Sequence, residues 1–117
     1  MLYKAVITKP AELDIAEAAR YIAKELQNPT AANRLLDDIE NAVVALEKRP
    51  KIYPPVKNDY LASLGFRFLP VRNYIAFYIV REGTQTVTIE RFLHGRRDWI
   101  NIIEKSENDK TLKHDFN

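Results

Sequence analysis

His94-Gly95-Arg96-Arg97-Asp98 sets an imidazole, two guanidiniums and a carboxylate within five residues. Imidazole exchanges its proton near neutral pH, and a guanidinium presents a planar fork of donors matched to phosphate or carboxylate. Gly95 offers a backbone conformation that side-chained residues resist. Together with Arg67, such groups suit an anionic partner, either nucleic acid or an acidic protein segment.

Charge is concentrated around these residues. Residues 63–99 hold six cations, all arginine (Arg67, Arg72, Arg81, Arg91, Arg96, Arg97), against Glu82, Glu90 and Asp98, while the flanking segments are nearly balanced. An anionic partner is therefore expected, with Arg72, Arg91 and Arg96 as further nucleic-acid contacts. Lys51 and Lys57, interleaved with Tyr53 and Tyr60, add the cation and ring mixture that grips a backbone and stacks a base. The chain of 117 residues has no cysteine and two histidines, which excludes a thiol nucleophile and a zinc knuckle. No metal and no cofactor is expected. No apolar run reaches membrane-spanning length and the N-terminus lacks the apolar core of a signal peptide, so a cytoplasmic protein without membrane contact is expected.

The elements that must position these groups follow from periodicity. Leu2–Thr8 reads as a strand. From Pro10, apolar Ala11, Ile15, Ala18, Ala19, Ile22 and Leu26 form a helical stripe that Asn28-Pro29 ends. A second helix, capped by Asn28 or Thr30, carries Ala32, Leu35, Leu36, Ile39, Val43 and Leu46 as far as Lys48, so the two helices form an antiparallel hairpin. The acidic residues of both helices read as solvated faces. Residues 51–63, with Pro54-Pro55, read as loop. Gly65–Val71, Tyr74–Val80 and Thr86–Leu93 are three strands of an antiparallel meander. A brief helix follows Trp99, and the polar stretch from Ser106 reads as a mobile tail, leaving one domain over residues 1–105 and a tail over 106–117. The fold class is α+β, in the order β-α-α-β-β-β with a short C-terminal helix, the hairpin packed on a largely antiparallel sheet.

Strand alternation sorts the faces. Phe66 and Phe68, then Ile75, Phe77 and Ile79, then Val87, Ile89, Arg91 and Leu93 form the more apolar set, expected beneath the helices. Arg67, Tyr74, Tyr78, Thr88, Glu90 and His94 would then lie on an uncovered face beside Arg96 and Arg97.

Over about residues 2–104 the sequence resembles the RelE/ParE family of bacterial toxins. The likeness rests on the element order, on Gly65-Phe66-Arg67, on the Leu69-Pro70-Val71 turn leading to Tyr74, and on the ending His94-Gly95-Arg96-Arg97-Asp98. It implies a growth-arresting toxin of a type II toxin-antitoxin pair, of the kind that serves plasmid stabilization. A cognate antitoxin would neutralise it by wrapping an extended or helical segment around it. RelE-like relatives cut messenger RNA on the ribosome with basic residues and a tyrosine near the C-terminus. Arg67 and Arg97 match those arginines and would hold the phosphate and stabilise the pentacovalent phosphorane without a metal, but Trp99–Glu104 holds no tyrosine, and His94 could serve instead as acid or base. ParE-like relatives poison DNA gyrase, lack the nuclease set and often end in His, two variable residues, Arg, Asp, which His94, Arg97 and Asp98 match. The chain thus leans to the ParE-like branch.

Overall fold

The computed structural model describes residues 2–115, with side chains described as far as Asp109. Strand β1 (Lys4–Ile7) leads into helix α1 (Lys9–Arg20), which is continued by a π turn over Tyr21–Glu25. Helix α2 (Pro29–Lys48), a short helix α3 (Asp59–Ser63), strands β2 (Phe66–Val71), β3 (Tyr74–Arg81) and β4 (Thr86–His94), and helix α4 (Trp99–Asp115) complete the chain. The sheet order is β1-β4-β3-β2, with β1 parallel to β4 and the other pairs antiparallel. The α+β class, the helical hairpin and the meander are therefore as expected.

Local chemistry places the helices. Thr8 caps α1: its Oγ1 accepts from the Ala11 N–H at 3.2 Å and donates to the Glu90 carbonyl at 2.9 Å, which fastens the helix start to β4. Asn28, rather than Thr30, caps α2, its Oδ1 accepting from the Ala31 N–H at 3.1 Å with Pro29 in the first turn. The expected first helix changes pitch at Tyr21, where the Leu26 N–H reaches back five residues to the Tyr21 carbonyl at 3.2 Å. A wider turn rotates the phase of the stripe. Ile22 stays partly buried against the core, whereas Leu26, expected inside, is left exposed.

Two cores flank the sheet, and they correct the face assignment made from alternation. The hairpin covers Leu69, Val71, Ala76, Tyr78, Val87, Ile89 and Phe92. Phe66, Phe77 and Leu93 lie on the other face with Val56, Leu61 and Ile103, flanked by Phe68, Ile75, Ile79, Trp99 and Ile102. The bulkier set thus packs under α3 and α4, two elements that read as loop and brief helix, and no face is bare. Tyr78 belongs to the hairpin core because its ring is buried while its hydroxyl donates to the Pro50 carbonyl at 3.0 Å.

On β4, strict alternation fails for a second reason. Phe77 pairs with Arg91 and Tyr78 with Ile89, so Glu90 is an extra residue in a bulge. A bulge inverts the alternation beyond it. Val87 and Ile89 face the hairpin before it, and Phe92 faces the hairpin after it. Glu90 is buried, with its carboxylate 3.8 Å from the Arg81 guanidinium.

Helix α4 begins where expected but runs through Asp115, across the segment set apart as a tail, and residues 116 and 117 lie outside the described residues. No helix among the described residues is long and apolar enough to cross a membrane.

Candidate functional site

At one end of the sheet the β2–β3 turn, the end of β4 and the π turn after α1 come together. Two residues, Arg72 and Asn73, connect β2 to β3, and Arg72 takes φ +55°, a left-handed conformation in a tight hairpin position that usually selects glycine. Its guanidinium is paired with Asp38 of α2. The Gly95 N–H donates to the Asn73 carbonyl at 2.8 Å and extends the β3–β4 ladder past His94. Gly95 does not adopt the left-handed conformation expected of it. A Cβ there would lie 3.4 Å from the Asn73 oxygen, at ordinary van der Waals contact, so the position tolerates a side chain.

A cleft of about 320 Å³ opens beside this end, lined by Asp14, Glu17, Tyr21, Tyr74, His94 and Arg97 among others. Tyr74 is a fixed wall. Its ring stacks on Phe92 at 5.1 Å with the planes 7° apart, and meets the His94 ring edge-on at 5.2 Å. The Tyr74 hydroxyl pKa is pushed up, first by burial and then by Tyr21 and Glu17 nearby. His94 Nδ1 accepts from the Arg96 backbone N–H at 3.1 Å, so the neutral imidazole carries its proton on Nε2. Arg97 is exposed and makes no ion pair among the described residues. A second cleft of about 360 Å³ adjoins the first through Tyr21, Tyr74 and His94 and reaches Arg72.

The structure therefore brings His94 and Arg97 together, with Arg72 near them and Arg96 tied to His94 through its backbone. It does not bring Arg67 there. Arg67 pairs with Tyr78 and His94 with Tyr74, on opposite flanks of β3 and four residues apart along it. At ordinary strand rise and spacing their backbones stand roughly 16 Å apart. The Arg67 guanidinium instead donates to the Tyr53 carbonyl at 2.6 Å and lies close enough to Tyr78 to oppose the rise that burial imposes on that phenol's pKa. Arg91 also departs from expectation. Its guanidinium is mostly buried, bonded to Asp14 Oδ2 at 2.6 Å and Oδ1 at 2.9 Å and to Ser106 Oγ at 2.8 Å, so it joins α1, β4 and α4 instead of facing a phosphate. Lys51 is paired with Glu82 near the opposite end of β3, and Lys57 is exposed on the segment before α3.

Two acids and one ring were not singled out from the sequence. Asp14, read as solvated, accepts the Phe92 N–H at 3.0 Å as well as Arg91 and so closes the part of the β4 edge that β1 is too short to cover. Glu17 near the end of α1 and Tyr21 at the start of the π turn both line the cleft. An aromatic residue off the apolar stripe was the available signal for Tyr21. Among the described residues no group of three or more His, Asp or Glu side chains is placed to hold a metal.

The chain is thus a helical hairpin closed over one face of a four-stranded mixed sheet, with a second helical layer behind it. Residues 5–99 match the family model described as the ParE toxin of type II toxin-antitoxin system, parDE, and the chain belongs to that family. The chain is similar in fold to a chain of the toxin-antitoxin complex RelBE2 from Mycobacterium tuberculosis (19% identity, TM-score 0.57, covering 80% of this chain and 99% of that one). It is likewise similar to a chain of the chromosomal ParDE TA system from P. aeruginosa (18% identity, TM-score 0.63, 80% and 96% covered). No curated protein sequence matches it.

Proposed function

We propose that the protein arrests growth by binding DNA gyrase through the end of the sheet that carries Arg72, His94, Arg96 and Arg97. The carrying observation is the separation of Arg67 from the His94–Arg97 pair. Phosphate cleavage without a metal needs charge-stabilising cations and a proton donor around one phosphorus, within hydrogen-bond reach. Three exposed arginines and a histidine beside the stacked Tyr74 ring suit a contact surface, where Arg and Tyr are the usual anchors. Membership of the ParE toxin family supports the same branch. A cognate antitoxin, the partner in both similar assemblies, holds the toxin inactive and makes the pair suited to plasmid stabilization in the cytoplasm.

Expression without the antitoxin tests this in cells. Growth should stop with induction of the DNA-damage response while protein synthesis continues at first. Immediate arrest of translation with cut messenger RNA would contradict it. That outcome belongs to a second reading, ribosome-dependent RNA cleavage, which draws on His94, Arg97 and two tyrosines sharing one cleft.

A further inference from the structure

The cleft has a composition that a flat protein contact does not require. Tyr21, 51% exposed, lines it. Tyr74 lines it too, its ring stacked on Phe92. Cationic and hydrogen-bonding groups, Arg97 and His94, come from β4 and the segment after it, whereas the carboxylate of Glu17 comes from α1. Asp14 also lines the cleft, but its carboxylate is spent on Arg91 and the Phe92 amide. The free charges are thus divided, positive from the segment after β4 and negative from α1, and the exposed Tyr21 ring shares the cleft with both.

We propose that this cleft binds a nucleoside phosphate, its base stacked on Tyr21, its phosphate on Arg97 and the His94 imidazole, and its sugar hydroxyls donating to Glu17. Each part of the ligand meets a group of matching chemistry. A base has a π face for an exposed phenol, a phosphate takes a guanidinium fork, and a ribose supplies O–H donors to a carboxylate. The volume of about 320 Å³ falls within the range of small-molecule sites. A bare anion would not need the ring, and a cationic side chain would be repelled by Arg97. The inference shares His94 and Arg97 with the proposed contact surface and concerns what fills the cleft beside them, so direct ligand binding tests it and gyrase inhibition does not. The nucleotide can be free or be the end of a single strand; the chemistry recognised is the same.

Titration of the full-length protein with adenosine monophosphate, adenosine, inorganic phosphate and a short 5′-phosphorylated oligoadenylate, followed by calorimetry or ligand-observed NMR, tests it. Adenosine monophosphate should bind about tenfold more tightly than adenosine, the worth of one charge-assisted contact. Arg97→Gln should erase that difference, and Tyr21→Ala should weaken both ligands about tenfold. Lys4→Gln, at the other end of the sheet, should change neither, and matched thermal unfolding of the variants excludes loss of fold. An oligoadenylate that binds at least tenfold better than the mononucleotide, through the same two residues, assigns the site to a strand end; equal binding assigns it to the free nucleotide. The proposal is overturned if adenosine monophosphate does not bind at millimolar concentration, if phosphate alone binds as well, or if Tyr21→Ala has no effect.

Discussion

Arg72 carries a side chain where the backbone asks for none, and such a conformation persists only when something else holds it. Its ion pair with Asp38 is exposed and contributes little, on the order of a few tenths of a kcal/mol. Arg72→Gly should therefore stabilise the fold by roughly 0.5–1 kcal/mol through relief of the turn, while it weakens target inhibition. Denaturant unfolding beside an inhibition assay would show this opposition, and a variant that is both less stable and fully active would refute it. At Tyr74 the direction of pH dependence follows from burial. Its folded pKa lies above the ordinary value of 10.0, so the folded state holds the phenolic proton more tightly than the unfolded chain does. That contribution is intact below pH 10 and is lost as pH rises from there through the folded pKa. Stability should fall as pH rises above 10.0, the ordinary value, by more than in Tyr74→Phe, as read by urea unfolding at each pH.

Among the elements, Asp14 and Arg91 fasten α1, β4 and α4 to one another. The pair is largely buried, so removing one partner leaves a charge without compensation. Asp14→Ala should cost about 3–5 kcal/mol, and replacing both residues with apolar ones of similar volume should recover much of it. A loss below about 1 kcal/mol in the single variant would mean that the pair is solvated. The second core makes a comparable demand. Phe77 is fully buried beneath Trp99, with ring centroids 5.1 Å apart, and Phe77→Ala should cost about 3–5 kcal/mol by thermal or denaturant unfolding. The Glu90 bulge is the element on which the site's geometry turns. Without it Phe92 and His94 would point to the α4 face and the cleft wall would be lost.

Across the whole molecule, the sequence made much of the architecture legible and less of the site. Amphipathic stripes, the Asn28-Pro29 break and three β-branched runs gave the hairpin and meander, because each is a local pattern repeated over many residues. The choice of which face meets which helix was hidden, since it depends on how many layers there are. Asp59–Ser63 is too short to show a helical period, and α4 is polar beyond Ile103. The bulge left no signal in a single sequence, and one unseen residue was enough to invert the alternation on β4. Arg67 and His94 do share a sheet face, as alternation implied, but alternation says nothing of distance along the strand. Arg91 looked like its neighbours among the arginines; only the third dimension shows Asp14 and Ser106 waiting for it.

The decisive measurement is DNA supercoiling by purified gyrase against increasing toxin. Inhibition should appear with the parent protein and fall at least tenfold with Arg97→Glu, the charge reversal of an exposed anchor, while Arg67→Gln leaves it nearly unchanged. Supercoiling that continues undisturbed at a large excess of folded toxin, or inhibition that depends on Arg67 and not on Arg97, would contradict a contact surface at this end of the sheet.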